Sequence, residues 1–332
     1  MNPPRQRELG RGERVLPGIW RLRLPLPWPG VPHCNAWALA AGDGIVLVDT
    51  GMHQPGSLAH LERAMHMVNL RIEHVRLLVV THAHADHFGQ AAPIVERASC
   101  ELWMNPNLAH ARAYADDPDA ALERRIEVAR QSGVPAEPLR AFEERRKSQG
   151  SGVAGWVEPD RDAVAGVTFE TDHGRWNVLE TPGHAPSHIC LHQPERRLLL
   201  SGDHLLGRVS LYYDYGWTPD PAGEFLASLS EVDALDARLC LSGHGRPFTD
   251  VRGHVRANQA LVAERVGRVQ RALEGGDPRT AYEIIPDVYE TELTPATGAW
   301  WLAETLCYLT HLERAGRVQR VDGEPERWRA AA

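Results

Sequence analysis

The sequence predicts an α/β fold in which helices cover the outside of a sheet, interrupted by a helical insertion and followed by a mainly helical C-terminal extension. Three observations carry this expectation. Short apolar runs rich in β-branched residues alternate with stretches of helical spacing through the first half, the pattern of helices packed on a sheet. Four more strand-like runs repeat the rhythm between Val164 and Ser201. Polar text rich in Ala, Arg and Glu over residues 105–152, and long helical text from Gly253 onward, break it.

Taken in order, residues 1–14 read as loosely ordered, and strands are expected at Val15–Leu24, Asn35–Ala41 and Ile45–Asp49. Gly42-Asp43-Gly44 is the hairpin turn between the last two. Ile45 to Val48 are all apolar, which implies burial on both faces. A helix at Leu58–Met67, a strand at Val75–Val80, a helix at Ala91–Ala98 and a strand at Cys100–Met104 follow. The insertion reads as two helices, Pro118–Ser132 and Pro138–Lys147, separated by Gly133-Val134-Pro135. Strands then fall at Val164–Phe169, Trp176–Glu180, His188–Gln193, Arg197–Ser201 and Arg238–Leu241. The extension, 251–332, gives helices at Val255–Glu274, Thr280–Ile285 and Trp300–Ala315, with Gly275-Gly276-Asp277-Pro278 ending the first. Gly316 to Gly323 reads as a small β-hairpin or wing.

The chemistry sits where the strand Val75–Val80 ends. Within six positions the chain delivers His82, His84, Asp86 and His87. His82 and His84, two apart on extended backbone, point to the same side, while Asp86 and His87 on the following turn can face a second ion. Imidazole and carboxylate together suit zinc, iron or manganese, and no thiol nearby favours a four-cysteine structural site.

Residues 81–89 resemble the His-x-His-x-Asp-His signature of the metallo-β-lactamase fold, an αββα sandwich. Thr181-Pro182-Gly183-His184, Ser201-Gly202-Asp203-His204 and Ser242-Gly243-His244-Gly245 resemble its remaining stations, in the expected order. The resemblance covers about residues 15–250. It implies that His82, His84 and His184 hold one divalent metal, that Asp86, His87 and His244 hold the other, and that Asp203 bridges them. It also implies that Asp49 stands behind the ligands as partner of a ligand histidine, and that 105–152 forms a lid, with Tyr114, Phe142 and Trp156 turned to substrate. A solvated helical pair is the alternative for that segment. His188 and His204 stand beside ligands as supporting or substrate-facing groups. The tail resembles the winged-helix extension of one branch of the superfamily; as a packing or dimerisation module it would close the site.

Composition narrows the partners. With 36 basic against 44 acidic side chains the net charge is −8, and the acidic residues scattered among the arginines leave no basic stripe for nucleic acid or an anionic membrane. The five cysteines are scattered without paired spacing and read as reduced thiols of a cytoplasmic protein. No run of apolar residues is long enough for a membrane span, and the N-terminus lacks the apolar core of a secretory signal.

The resemblance implies a glyoxalase II-like hydrolase with two metals, zinc first and iron or manganese as alternatives, cleaving a small ester, thioester or lactone through a metal-bridging hydroxide. Asp86 would orient that hydroxide and carry a proton to the leaving group. Tyr212, Tyr213 and Tyr215 are candidates to donate a hydrogen bond to the oxyanion, or to pack in the core. The alternative is a ribonuclease-type phosphodiesterase of the winged-helix-bearing branch.

Overall fold

The computed structural model describes residues 9–28, 30–148, 150–208, 210–289 and 298–331. Two sheets lie face to face. The first contains β1 (Arg11–Leu16), β2 (Ile19–Trp28), β3 (Val31–Ala41), β4 (Gly44–Val48), β5 (Val75–Val79), β6 (Glu101–Met104) and β7 (Arg161–Asp162), in that spatial order. Its first four strands are antiparallel neighbours, and β4 to β7 run parallel. The second contains β8 (Thr168–Thr171), β9 (Gly174–Glu180), β10 (Ile189–Gln193), β11 (Leu198–Gly202) and β12 (Leu239–Ser242), in the order β12-β11-β10-β9-β8. It is antiparallel except for the parallel β11–β12 pair.

Alternation along the strands decides what each face meets. Ile19, Trp37, Val46, Val48 and Val79 of the first sheet pack against Trp176, Val178, Ile189, Leu191 and Leu200 of the second. On the opposite face, Leu22, Ala36, Leu47 and Leu78 receive Leu61 and Met65 of α1 (Ser57–His66) and Ile94 of α3 (Ala91–Ala98), beyond the one-turn α2 (Ala85–Phe88). Every residue of β4 is buried, as its unbroken apolar run requires. Each large apolar side chain taken from water is worth roughly 2 kcal/mol, so interior packing fixes how the sheets face one another.

The insertion forms α4 (Ala109–Asp116), α5 (Pro118–Gln131) and α6 (Ala136–Lys147). Asp117 caps α5 by accepting from the Ala120 amide. Then come α7 (Pro221–Asp233), α8 (Val251–Ala272), α9 (Ala281–Tyr289), α10 (Gly298–Arg314) and the hairpin β13 (Val318–Val321) and β14 (Arg327–Ala330). One apolar cluster runs from Cys190 and Leu199 of the second sheet through Phe225 and Leu229 of α7 to Val255, Ile284, Leu306 and Trp328. The mixed α/β sandwich and its helical C-terminal region are therefore as the sequence predicts.

Several local expectations are corrected. Within residues 1–14, Arg11–Leu16 forms an edge strand, whereas residues 1–8 lie outside the described residues. A Cβ on Gly12 would stand 2.0 Å from the Ala64 carbonyl oxygen, so the glycine lets β1 lie against α1. Val15–Leu24 is two strands with a turn at Pro17-Gly18, where Gly18 has φ of 76°. The insertion has a third helix, α4, whose alanine-rich text lacks a strong apolar stripe. α7 was not expected, and the hairpin's second strand falls beyond Gly323.

Candidate metal centre

β9, β11 and β12 point the same way, since β10 is antiparallel to both β9 and β11 while β12 runs parallel to β11. Their ends, with those of β4 and β5, deliver the candidate ligands to one edge of the sandwich. Backbone bonds lace the loops together: Thr50 N–H to the His87 carbonyl at 2.8 Å, Ile189 N–H to Thr81 at 2.8 Å, and Gly243 N–H to Gly202 at 2.7 Å. A Cβ on Gly243 would lie 2.2 Å from Asp203 Oδ1 and 2.7 Å from the His87 ring, so only glycine leaves room for both.

The structure brings all seven predicted residues together. His82, His84 and His184 form one group able to hold a metal ion, Asp86, His87 and His244 a second, and Asp203 joins His82 and His87 in a third. Asp203 Oδ2 lies 3.1 Å from His244 Nε2 and 3.9 Å from His184 Nε2, and its Oδ1 lies 3.4 Å from His87 Nε2. Asp86 Oδ2 lies 3.2 Å from His244 Nε2 and 3.5 Å from His87 Nε2.

Each imidazole is pinned through one nitrogen, which assigns its tautomer and turns the other lone pair inward. His87 donates from Nδ1 to Asp49 Oδ2 at 2.8 Å. His244 donates from Nδ1 to the His33 carbonyl at 2.9 Å, and His184 from Nδ1 to the Tyr212 carbonyl at 3.1 Å. Thr81 Oγ1 donates to Asp49 at 2.9 Å and so accepts from His82 Nδ1 at 3.0 Å. His84 donates from Nε2 to Asp214 Oδ2 at 2.8 Å, leaving its Nδ1 bare 3.1 Å from the bare Nε2 of His184. Two lone pairs facing each other repel unless a cation lies between them. His82 Nε2, His87 Nε2 and Asp203 Oδ1 are buried without any hydrogen-bond partner among the described residues. Such a donor set, nitrogen and carboxylate oxygen with every lone pair convergent, fits divalent transition metals.

The electrostatics divide the histidines: burial opposes charge on all of them, and on His84 it is outweighed by Asp214, which raises its pKa. Burial drives His82 and His188 well below the ordinary imidazole range, His184 down to about 4 and His204 to about 3, which keeps them neutral. Burial opposes charge on His87 and His244 too, but Asp203 and Asp86 outweigh it, holding His87 well above its usual value and pushing His244 up to about 10. For Asp86 and Asp203, burial is outweighed by His87 and His244, and both carboxyls lie far below their usual range.

The neighbouring candidates separate by contact. His188 accepts from the Asp203 amide at Nε2 (3.1 Å) and meets Thr181 Oγ1 at 2.8 Å, so it holds the Asp203 backbone. His204 packs on Phe225, ring centroids 4.9 Å apart, and joins none of the ligand groups. Of the three tyrosines only Tyr212 approaches, its ring 5.7 Å from His84 and 5.6 Å from His184; Tyr213 packs against Phe225 and Tyr308, and Tyr215 joins the same apolar cluster. Trp156 packs on Phe88 at 5.4 Å and Phe142 lies under the Arg145 guanidinium, whereas Tyr114 lies under that of Arg125. Within the insertion, α4 reaches the centre with His110, 6.2 Å from His84 and 3.4 Å from Ser187 Oγ, and α5 reaches it with Arg125, whose charge acts on Tyr212 and Asp214.

Sequence reasoning missed Asp214 and Trp300. Asp214 lay in view as the acid among three tyrosines. Trp300 donates to the Leu211 carbonyl at 2.6 Å and meets the Tyr212 ring at 5.5 Å, so α10 braces the loop that holds His184; no local signal marks it.

Residues 29–244 match the metallo-beta-lactamase superfamily, well over half of the chain. The chain belongs to that superfamily. Similarity to other metallo-beta-lactamase superfamily proteins extends past the matched segment. The probable metallo-hydrolase YqjP of Bacillus subtilis is 26% identical over 298 residues, 86% of this chain and 87% of the relative. The lactamase-like protein adaB of Aspergillus niger is 25% identical over 316 residues, 89% and 80%. Among solved structures, the metallo-beta-lactamase family protein TTHA1429 of Thermus thermophilus superposes with a TM-score of 0.82 at 28% identity, covering 96% of this chain and all of the other. A beta-lactamase domain protein of Burkholderia ambifaria gives 0.79 at 26%, covering 96% and 93%. The helical C-terminal region thus belongs to the shared architecture. No helix among the described residues is long and apolar enough to cross a membrane.

Proposed function

We propose that this chain is a hydrolase that uses two divalent cations to cleave a small ester, thioester or lactone. The observation that carries the reading is the convergence of five imidazole lone pairs and two carboxylates, each imidazole oriented by its outward hydrogen bond. In it, His82, His84 and His184 would hold one cation, Asp86, His87 and His244 the other, and Asp203, which groups with His82 and His87, would serve both. Zinc is the first choice, with iron or manganese suited to the same donors. Bound there, such a pair supplies Lewis acidity and a hydroxide nucleophile near neutral pH.

The chain's own groups do the rest. Asp86, 3.2 Å from His244 within the second ligand group, would orient the attacking oxygen and carry a proton to the leaving group. Tyr212 stays protonated, because burial and the neighbouring Asp214 push its phenol above the usual range. Its ring stands 5.7 Å from His84 and 5.6 Å from His184 and its side chain hydrogen-bonds Asp214, so it is the one of the three phenols close enough to the ligands to serve the oxygen on which negative charge develops.

The test is free-thiol release from a panel of acyl thioesters, acid release from small esters and ring opening of lactones, by metal-loaded protein with and without chelator. Turnover that a chelator abolishes and one metal restores is the expected result, with H82A and D203N lowering it by orders of magnitude. Metal-loaded protein inert toward all three bond types, or turnover indifferent to chelator, would refute the reading.

A further inference from the structure

Behind the loop that carries His244 lies an open cavity of about 500 Å³, walled by Arg11, Glu13, Arg21, Arg23, His33 and Arg246, with Gly245 at its floor. Sheet register brings these arginines together. Arg11 of β1 stands directly opposite Arg23 of β2, and Glu13 opposite Arg21. Like charges directly opposite on a sheet destabilise it, and Arg246 adds a further cation to a space holding one carboxylate. This concentration occurs in a chain whose overall charge is −8.

Arg21 is the built part of the site. Its side chain is only 5% exposed, and its guanidinium meets Glu13 at 2.6 Å and donates to the Gly245 carbonyl at 2.7 Å. Its Nε is buried with no partner among the described residues. Arg23 contacts His33 Nδ1 at 3.3 Å. The cavity also touches the metal centre through shared backbone, since the His33 carbonyl accepts from His244 and Asn35 Nδ2 donates to Gly245. The cavity lining therefore abuts the loop that carries His244.

The geometry points to an anion site that grips a phosphate group carried on the substrate, so that the scissile acyl bond reaches the metal centre while the phosphorylated end rests among Arg11, Arg21, Arg23 and Arg246. This rests on the hydrolase reading above. Guanidinium forks match the paired oxygens of a tetrahedral dianion, and several converging forks distinguish it from a neutral group. The substrate class is therefore a small acyl ester or thioester whose alcohol or thiol portion is phosphorylated.

The probe is inorganic sulfate, a tetrahedral dianion, titrated calorimetrically into the metal-loaded protein at low ionic strength with chloride as control. Sulfate should bind, and the double substitution R11Q/R246Q, at two exposed positions, should weaken it at least about tenfold, as loss of charge-assisted hydrogen bonds implies. R11K/R246K should recover part of the affinity. In parallel, kcat/KM is measured for an acyl-coenzyme A and for the same acyl group on N-acetylcysteamine, which carries no phosphate. The ratio of the two should fall by about tenfold in R11Q/R246Q. Absent sulfate binding, or binding indifferent to the double substitution, overturns the anion site. Binding that is lost while the thioester ratio holds means a free-anion site and overturns the substrate role. Cleavage of single-stranded RNA that depends on the same arginines, without a thioester preference, overturns the small-molecule class. Arginine-dependent sulfate binding by protein that hydrolyses neither thioester, and none of the esters and lactones named above, upholds the anion site, refutes the hydrolase reading and overturns the substrate role with it.

Discussion

Asp214 Oδ2 lies 2.8 Å from His84 Nε2 and thereby decides which nitrogen of His84 is bare. The carboxylate comes from a loop 130 residues further along the chain, and its own pKa is held well below the usual range, against burial, by His84.

Replacing Asp214 by Asn removes the charge that selects this tautomer. Metal affinity should fall roughly 10- to 100-fold, as it does when groups that orient ligands are lost. Competition against a chromophoric chelator reads this directly. A D214N protein that held metal as tightly as the wild type would show that His84 needs no carboxylate behind it.

Asp49 has a double burden. It accepts from the Thr81 amide at 2.7 Å, from Thr81 Oγ1 and from His87 Nδ1, and it does so at φ of 63°. Asn tolerates that backbone conformation better than Ala, so the two substitutions separate chemistry from strain. D49N should stay folded and lose metal affinity. D49A should lose both affinity and about 2 kcal/mol or more of stability, from unsatisfied donors and left-handed backbone. Equal thermal denaturation of D49N and D49A would contradict the strain argument.

Glu304 gives a pH dependence remote from the metal centre. It is buried in α10, where Tyr308 donates to it at 2.8 Å and Arg265, Tyr289 and Tyr213 surround it. Burial pushes its carboxyl up to about 7. The folded protein therefore keeps a proton that the unfolded chain releases near pH 4.5, so this contribution is complete below about pH 4.5 and is lost as pH rises through 7. The span is roughly 3 kcal/mol. Urea denaturation from pH 5 to 8 should show wild-type stability falling with pH relative to E304Q; parallel profiles would place Glu304 in a more polar environment than its packing indicates.

Much of the site was legible because metal ligation needs particular side chains at strand ends, and strand ends are marked by abrupt loss of apolar alternation. His82 to His87, His184, Asp203 and His244 could be picked out one station at a time, and the all-apolar β4 announced its double burial. Local text failed where packing or pairing across long separations decides. Arg11–Leu16 is a strand because Gly12 lets it lie on α1, and the hairpin at the C-terminus depends on a partner strand beyond its turn.

The sequence by itself determined the ligand types, their order and the alternation that makes two sheets and their covering helices. Tertiary structure alone decided which nitrogen of each histidine faces inward, because that depends on Asp49, Asp214, and the carbonyls of His33 and Tyr212 arriving from other loops. It alone placed Trp300 against the loop of His184, and Arg11 opposite Arg23. Hydrogen bonds and cross-strand pairs act over a few ångströms of space, and only the folded chain fixes which distant residues lie within that reach.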